Sequence, residues 1–209
     1  MSIAEDLLKA DFDQCFNQMR HYDGIFTTVV NFAFAFFTAV ATATVAFLFQ
    51  SNIPNSAYLG LSILYCLVAI IGMLILAFLL RNRCYFAFVA RFVNEVRGYY
   101  LPQIGPNFSN QTGLPTSPRK PRMLSPGSTH VIHMYFIAIF NTASIATSIL
   151  IYRYYASLTS QSAFVLNFWL FIFLVLFILT IQIVWIILYL RYKDNLSADH
   201  AWWGKTNGT

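Results

Sequence analysis

Residues 24–80 run for 57 positions without a Lys, Arg, Asp, Glu or His. Two further stretches, 123–152 and 154–190, also carry no charged residue. A soluble domain is about 25% charged, and charges fall every few residues along it. Crossing the hydrocarbon of a bilayer takes about 20 consecutive apolar residues in a helix. The first stretch is long enough for two crossings and a turn, and each of the others holds one. Composition agrees, with 58% hydrophobic and only 10% charged residues. The expected fold class is all-α: a four-helix transmembrane bundle with cytoplasmic amphipathic helices.

The spans are predicted at roughly 25–49, ended by the polar turn QSNIPNS, and at 57–80, 131–152 and 164–190. The last is 27 residues, about 40 Å at 1.5 Å per residue, so it must tilt or protrude. No basic segment followed by a short apolar one precedes the first span, so no signal peptide is expected. Cys15, Cys66 and Cys84 share no metal or redox spacing and read as free thiols.

Charge placement gives the orientation. Twelve of the 13 Lys and Arg, and all eight Asp and Glu, lie before the first span, between the second and third, or after the fourth. Arg153 alone falls on the other side, in a loop expected at 153–163. The positive-inside rule then places both termini in the cytoplasm of a plasma (inner) membrane protein. The loops at 50–56 and 153–163 are too short to fold. Any signal read by folded mass is therefore read from inside. The net charge of +5 reports this topology, and no direct nucleic-acid binding is expected. PRKPR at 118–122 adds attraction to anionic lipid.

Six segments follow. Residues 1–23 form a cytoplasmic amphipathic helix, with Leu8, Phe12, Cys15, Phe16, Met19 and Tyr22 on one face. The first transmembrane hairpin is 24–80. Residues 81–101 form a second cytoplasmic helix, with Arg83, Arg91, Asn94, Glu95 and Gly98 on one face and Tyr85, Phe88, Val89, Phe92, Val96 and Tyr99 on the other. It is stopped by Pro102 and could continue the second span. A Pro-rich cytoplasmic linker, 102–129, holds six of the seven prolines. The second hairpin is 130–190 and the tail 191–209.

Two groups of residues are candidates for function. At the entrance to the first span stand Arg20, His21, Tyr22 and Asp23. This knot fixes where the span begins, and it could also tie the first cytoplasmic helix to the helix bearing Arg91, Asn94, Glu95 and Arg97. At membrane depth the first span carries Asn31, Ala35, Thr38, Ala39, Thr42 and Ala46 on one face. The third carries Asn141, Ser144 and Ser148, the fourth Asn167 and Gln182, and the second Ser62, Cys66, Ala69 and Gly72. Small and weakly polar residues are what helix interfaces in lipid use, so they suit helix packing. In an oligomer they could also line an aqueous path.

The absences are equally directive. No Asp, Glu, Lys or Arg lies inside a span, where proton relays and intramembrane proteases carry their chemistry. His130, His133 and His200 lack the Cys or carboxylate that would complete a metal set. No phosphate loop, nucleophile elbow or HExxH is present. Neither an enzyme nor a cofactor is expected. A small-solute transporter is disfavoured by four spans without a visible internal repeat.

A helix ending in RHYD, a tight two-span hairpin, and a helix carrying ARFVNEVRGYYLP together resemble small bacterial membrane effectors. SLATT-type proteins and the four-pass subunits of antiviral defence systems such as Kiwa are similar in layout over residues 5–101. The second hairpin departs from the two-span SLATT plan. The resemblance implies damage to, or surveillance of, the cell membrane, triggered by a cytoplasmic partner protein or a nucleotide signal. The expected partners are therefore membrane lipid, further copies of the chain in a homo-oligomer, and that trigger. Two functions are carried forward: an oligomeric effector or channel, and a non-conducting platform that recruits a cytoplasmic protein.

Overall fold

The computed structural model describes residues 3–101, 115–117, 119–159 and 168–199. Four helices follow in order: α1 (Ile3–Leu48), α2 (Asn55–Tyr100), α3 (Thr129–Leu158) and α4 (Phe168–Asp199). All four are long and apolar enough to cross a membrane. The chain is a multi-pass, all-α membrane protein, and the described residues contain no strand.

The helices are longer than the predicted spans. The first amphipathic helix and the first span are one element of 46 residues, about 69 Å of helix against a hydrocarbon thickness of about 30 Å. Gly24 does not interrupt it. The backbone ladder passes through, and Thr27 Oγ1 donates to the Asp23 carbonyl at 3.0 Å. The second span and second amphipathic helix are likewise one element, ending at Tyr100 just before Pro102. The helix α3 runs to Leu158, so Arg153 stands within a helix and not in a loop. The helix α4 continues to Asp199 and takes up the first half of the expected tail. Lone charges at a helix end do not stop a helix; only a Pro or an unmet cap does.

The chain divides into two compact units. The spanning unit is Thr28–Leu79 with Thr129–Ile186. Its core contains Val30, Ala33 and Phe37 from α1, Val68, Ala69 and Leu76 from α2, Met134, Ile137 and Ala138 from α3, and Ile186 from α4. Phe140 stacks on Phe37 at 5.2 Å and meets Phe34 edge-on at 5.5 Å. Such ring pairs add about 0.5–1.5 kcal/mol beyond area burial. Outward, α4 shows large apolar side chains, among them Phe173, Leu176, Phe177 and Ile181. That is the surface lipid tails require.

The polar unit comprises residues 1–27, 80–128 and 187–209. On α1 the face expected to turn inward does so: Leu8, Phe12, Cys15, Phe16, Met19 and Tyr22 are half-buried, while Lys9 and Asp13 are exposed. On α2 the two expected faces are mixed, with Val96 buried and Glu95 exposed. Asn82, Arg83 and Asn94 are buried, whereas Tyr85, Phe88 and Tyr99 are exposed. Arg83 and Asn94 turn inward because they hold a length of chain, described below.

Residues 102–114, with the two glycosylation sequons at Asn107 and Asn110, lie outside the described part, as do Asn167, Trp202 and Trp203. A Cβ added at Gly24 would meet nothing within 4 Å. Gly24→Ala should therefore stabilise α1 by about 0.5–1 kcal/mol through helix propensity, read as a higher midpoint of thermal unfolding in detergent. An unchanged or lower midpoint would mean that the helix bends at this residue.

Candidate functional site

In the spanning unit, two clusters hold Ser62, Cys66, Asn141, Ser148 and Gln182 of the polar residues expected at membrane depth. The first joins α2 to α3. Ser148 Oγ donates to the Ser62 carbonyl at 2.8 Å, Ser62 Oγ lies 3.0 Å from the Ser148 carbonyl, and Cys66 Sγ sits 3.1 Å from Ser148 Oγ. The second joins α3 to α4. Asn141 Nδ2 donates to Gln182 Oε1 at 3.3 Å, and Gln182 Nε2 donates to Thr142 Oγ1 at 2.9 Å. Each such bond contributes about 0.6 kcal/mol, rising to 1–2 in favourable cases. Ser144 is spent on its own helix, donating to the Phe140 carbonyl at 2.9 Å.

The second cluster is wedged against α2. A Cβ at Gly72 would stand 1.7 Å from Asn141 Oδ1 and 3.0 Å from Phe37 Cζ. That oxygen is buried and accepts no hydrogen bond from the described residues. It presses on the Gly72 backbone, where only a weak Cα–H contact can serve it. Asn141, Ser144, Ser148 and Gln182 are all buried between the helices of this unit, with their side chains hydrogen-bonded there.

The stripe on α1 behaves in the opposite way. Asn31, Ala35, Thr38, Ala39, Thr42 and Ala46 are all exposed. Within the described residues Asn31, Thr38 and Thr42 make no hydrogen bond through their side chains. Thr44, turned inward, donates to the Val40 carbonyl and accepts from Tyr65 Oη. The inward face of α1 is Val30, Ala33 and Phe37, which periodicity alone could not tell from the small-residue face.

In the polar unit, the entrance knot ties α1 to α2, though not through the residues expected. Tyr22 stacks on Tyr85 at 5.6 Å, and Asn82 Nδ2 donates to the Tyr22 carbonyl at 2.8 Å. Arg20 lays its guanidinium over Phe16, 4.6 Å from the ring centre, and His21 is exposed. A tie between Asp23 and Arg97 is excluded by helix length. Arg97 lies fifteen residues beyond Asn82, about 22 Å further along α2.

The polar face of α2 grips the chain that enters α3. Asn94 Nδ2 donates to the Lys120 carbonyl at 2.7 Å and Arg91 Nε to that of Pro121 at 3.1 Å. Arg83 donates to the Arg122 carbonyl at 2.9 Å and to that of Met123 at 3.3 Å. Thr116 crosses so close to Gly98 that a Cβ there would meet its carbonyl oxygen at 2.8 Å. This stretch therefore runs antiparallel to α2, and Met123 is wholly buried. The part of the expected linker from 119 to 128 is a fixed strap. Backbone carbonyls taken from water need donors, and three α2 side chains supply them.

From α4, Asp194 forms an ion pair with Arg91, which also donates to Ser197 Oγ, and Asp194 Oδ1 accepts the Met123 amide at 3.3 Å. Arg97 donates to Asn94 Oδ1, and Glu95 points to solvent. Burial pushes the neighbouring Cys84 thiol up to about 11, so it stays protonated and unreactive. The sequence reading placed Arg83 on the polar face of α2 but missed Asn82, Met123, Asp194 and Ser197. The available signal was Leu190, Asp194 and Ser197 at helical spacing beyond the last apolar residue.

Comparison with protein-family models, with curated proteins and with solved structures returns no match to this chain.

Two outcomes are expected. Gly72→Ala should lower stability by about 1–3 kcal/mol by overpacking, and adding Asn141→Ala should return part of that loss. Strict additivity in the double-mutant cycle would show that the two residues do not touch. Asp194→Ala should loosen the strap by about 1–3 kcal/mol. Trypsin would then cut the native protein at Arg122–Met123 at least about tenfold faster.

Proposed function

We propose that this chain is a subunit of a membrane-embedded oligomer, an effector of channel-like construction, in which copies meet through the outward face of α1. The observation that supports this reading is the contrast between two outward surfaces. The helix α4 presents mostly large apolar side chains outward, whereas α1 presents Asn31, Thr38 and Thr42 with several alanines beside Phe32 and Val45, and those three polar side chains make no hydrogen bond among the described residues. An amide and two hydroxyls at membrane depth are costly in hydrocarbon. Small residues at four-residue spacing let a second helix approach closely enough to answer them. Any conducting path then lies between copies, because the interior polar residues of each copy are committed to packing.

On this reading the polar unit faces the cytoplasm of the inner membrane and receives the trigger, a partner protein or a nucleotide signal. The resemblance of residues 5–101 to small bacterial effectors is what supports a role in antiviral defence. One observation favours the alternative of a non-conducting platform. The polar unit is held by a dense set of side chain–backbone bonds, the construction of a docking module more than of a gate.

The test is cysteine cross-linking in membranes, with the three native cysteines replaced by alanine. Cysteines at Asn31, Thr38 and Thr42 should yield oxidised dimers, and cysteines at Ala33 and Phe37 should not. Equal yields on the two faces, or no dimer at all, would reject the α1 interface. Ion flux through reconstituted cross-linked oligomers then separates the effector from the platform.

A further inference from the structure

Because α2 holds the strap by its backbone, the side chains of the strap are left outward. The carbonyls of Lys120, Pro121, Arg122 and Met123 accept from Asn94, Arg91 and Arg83. Arg119, Lys120 and Arg122 are exposed. No Asp or Glu occurs between Glu95 and Asp194, and Asp194 is engaged by Arg91 and the Met123 amide. The strap is thus a fixed ribbon of three cations. The water-exposed part of α1 has the opposite sign. Residues 3–19 carry Glu5, Asp6, Asp11 and Asp13 against Lys9 alone. Asp6 and Asp13 stand two turns apart on the side of α1 opposite its half-buried stripe, and both are exposed.

Among the described residues neither of these two carboxylates, nor any of the three strap cations, forms an ion pair. The reason is geometric. Asn82 and Tyr85, which meet Tyr22, lie on nearly the opposite side of α2 from Arg83, Arg91 and Asn94, at 100° per residue. The helix α2, about 10–12 Å wide, therefore stands between α1 and the strap, and Asp6 and Asp13 are on the far side of α1. The two charged edges are nevertheless level. The antiparallel helices α1 and α2 are clamped where Tyr22 stacks on Tyr85. Asp13 lies nine residues before Tyr22, and Asn94, which holds Lys120, nine residues after Tyr85. Each distance is about 14 Å along its helix. Every copy is thus acidic on one edge and basic on the other, at one height.

We propose that the strap of one copy docks on the acidic edge of α1 in the next copy, with Lys120 and its neighbouring arginines against Asp13 and Asp6. This rests on the reading that copies of the chain associate, and it specifies their contact at the water-exposed end. An α1-to-α1 contact at this level would set Asp13 against Asp13, whereas complementary edges select the partner and suppress the like-charged pairing. Contact between two different surfaces is head-to-tail, and it builds a ring where the rotation between copies closes. Lipid phosphate suits the strap less well. Lys120 is held thirteen residues of α2 beyond Arg81, the first charge past the apolar stretch. That is about 20 Å, against a screening length of about 8 Å at physiological salt.

The experiment uses the full chain in liposomes, prepared from equal amounts of unlabelled and nitrogen-15-labelled protein. A carbodiimide, which joins an amine to a carboxylate in direct contact, should link Lys120 to Asp13 or Asp6. Linked peptides that combine a light with a heavy copy should be as frequent as unmixed ones. Arg119→Glu, Lys120→Glu and Arg122→Glu together should lower the oligomer population at least tenfold, and so should Asp6→Lys with Asp13→Lys. Helix content by circular dichroism should not change, because the strap is held through its carbonyls. Mixing the two reversed variants should restore oligomers. Links confined to one isotope, oligomers undiminished in either variant, or no recovery on mixing would overturn the contact. Oligomers left intact while the base-reversed variant loses binding to phosphatidylglycerol vesicles would assign the strap to lipid and overturn it too. The α1 interface fails separately. If Thr38→Cys gives no dimer while mixed Lys120–Asp13 links form, that interface falls and this contact stands. If Thr38→Cys dimers form without mixed links, this contact alone falls.

Discussion

Hydrocarbon offers no hydrogen bonds, and the architecture follows from that. Every backbone amide and carbonyl in the spans must be satisfied within its own helix. The described residues of the spanning unit are accordingly almost all in long helices, and side-chain polarity becomes scarce and consequential. Ser62 with Ser148, and Asn141 with Gln182 and Thr142, answer one another across helix pairs. Gly72 matters because it lets an amide oxygen approach a backbone directly. Asn31 is the exception, an exposed amide whose side chain bonds to no described residue.

Outside hydrocarbon the constraint relaxes, and the polar unit solves a different problem. A connection rich in proline has few amide donors of its own and leaves its carbonyls open. Arg83, Arg91 and Asn94 fill them from one helix face, and Asp194 takes the one buried amide from another helix. This accounts for the burial of Arg83 and Asn94 on α2 beside Ala87, Ala90, Val93 and Val96, while Tyr85, Phe88 and Tyr99 are exposed.

The four apolar helices were legible because hydropathy is a property of each stretch by itself. So was the inward face of α1 before Gly24, where a single stripe of apolar residues leaves no choice. Legibility failed where the sequence offered two chemically reasonable faces. On α1 after Gly24 both faces are apolar or small, and the choice between Ala33 with Phe37 and Ala35 with Thr38 was made by Phe140 of a distant helix. The strap was unreadable for a related reason. Proline-rich composition signals that a segment cannot bond to itself, but not that another segment will bond to it. Asp194 looked like one charge in a polar tail because its partner, Arg91, lies 103 positions away.

The unbroken passage of α1 from Ile3 to Leu48 has a mechanical consequence. A continuous α-helix transmits torsion as a stiff rod would. One residue of register amounts to about 100° of rotation about the axis. A turn of that size imposed near Tyr22, where the rod is clamped against Tyr85, would swing Asn31 from the outward side of the helix toward its flank. Events at the water-exposed end could thereby change which side chains are shown at membrane depth, with no helix needing to melt or re-form.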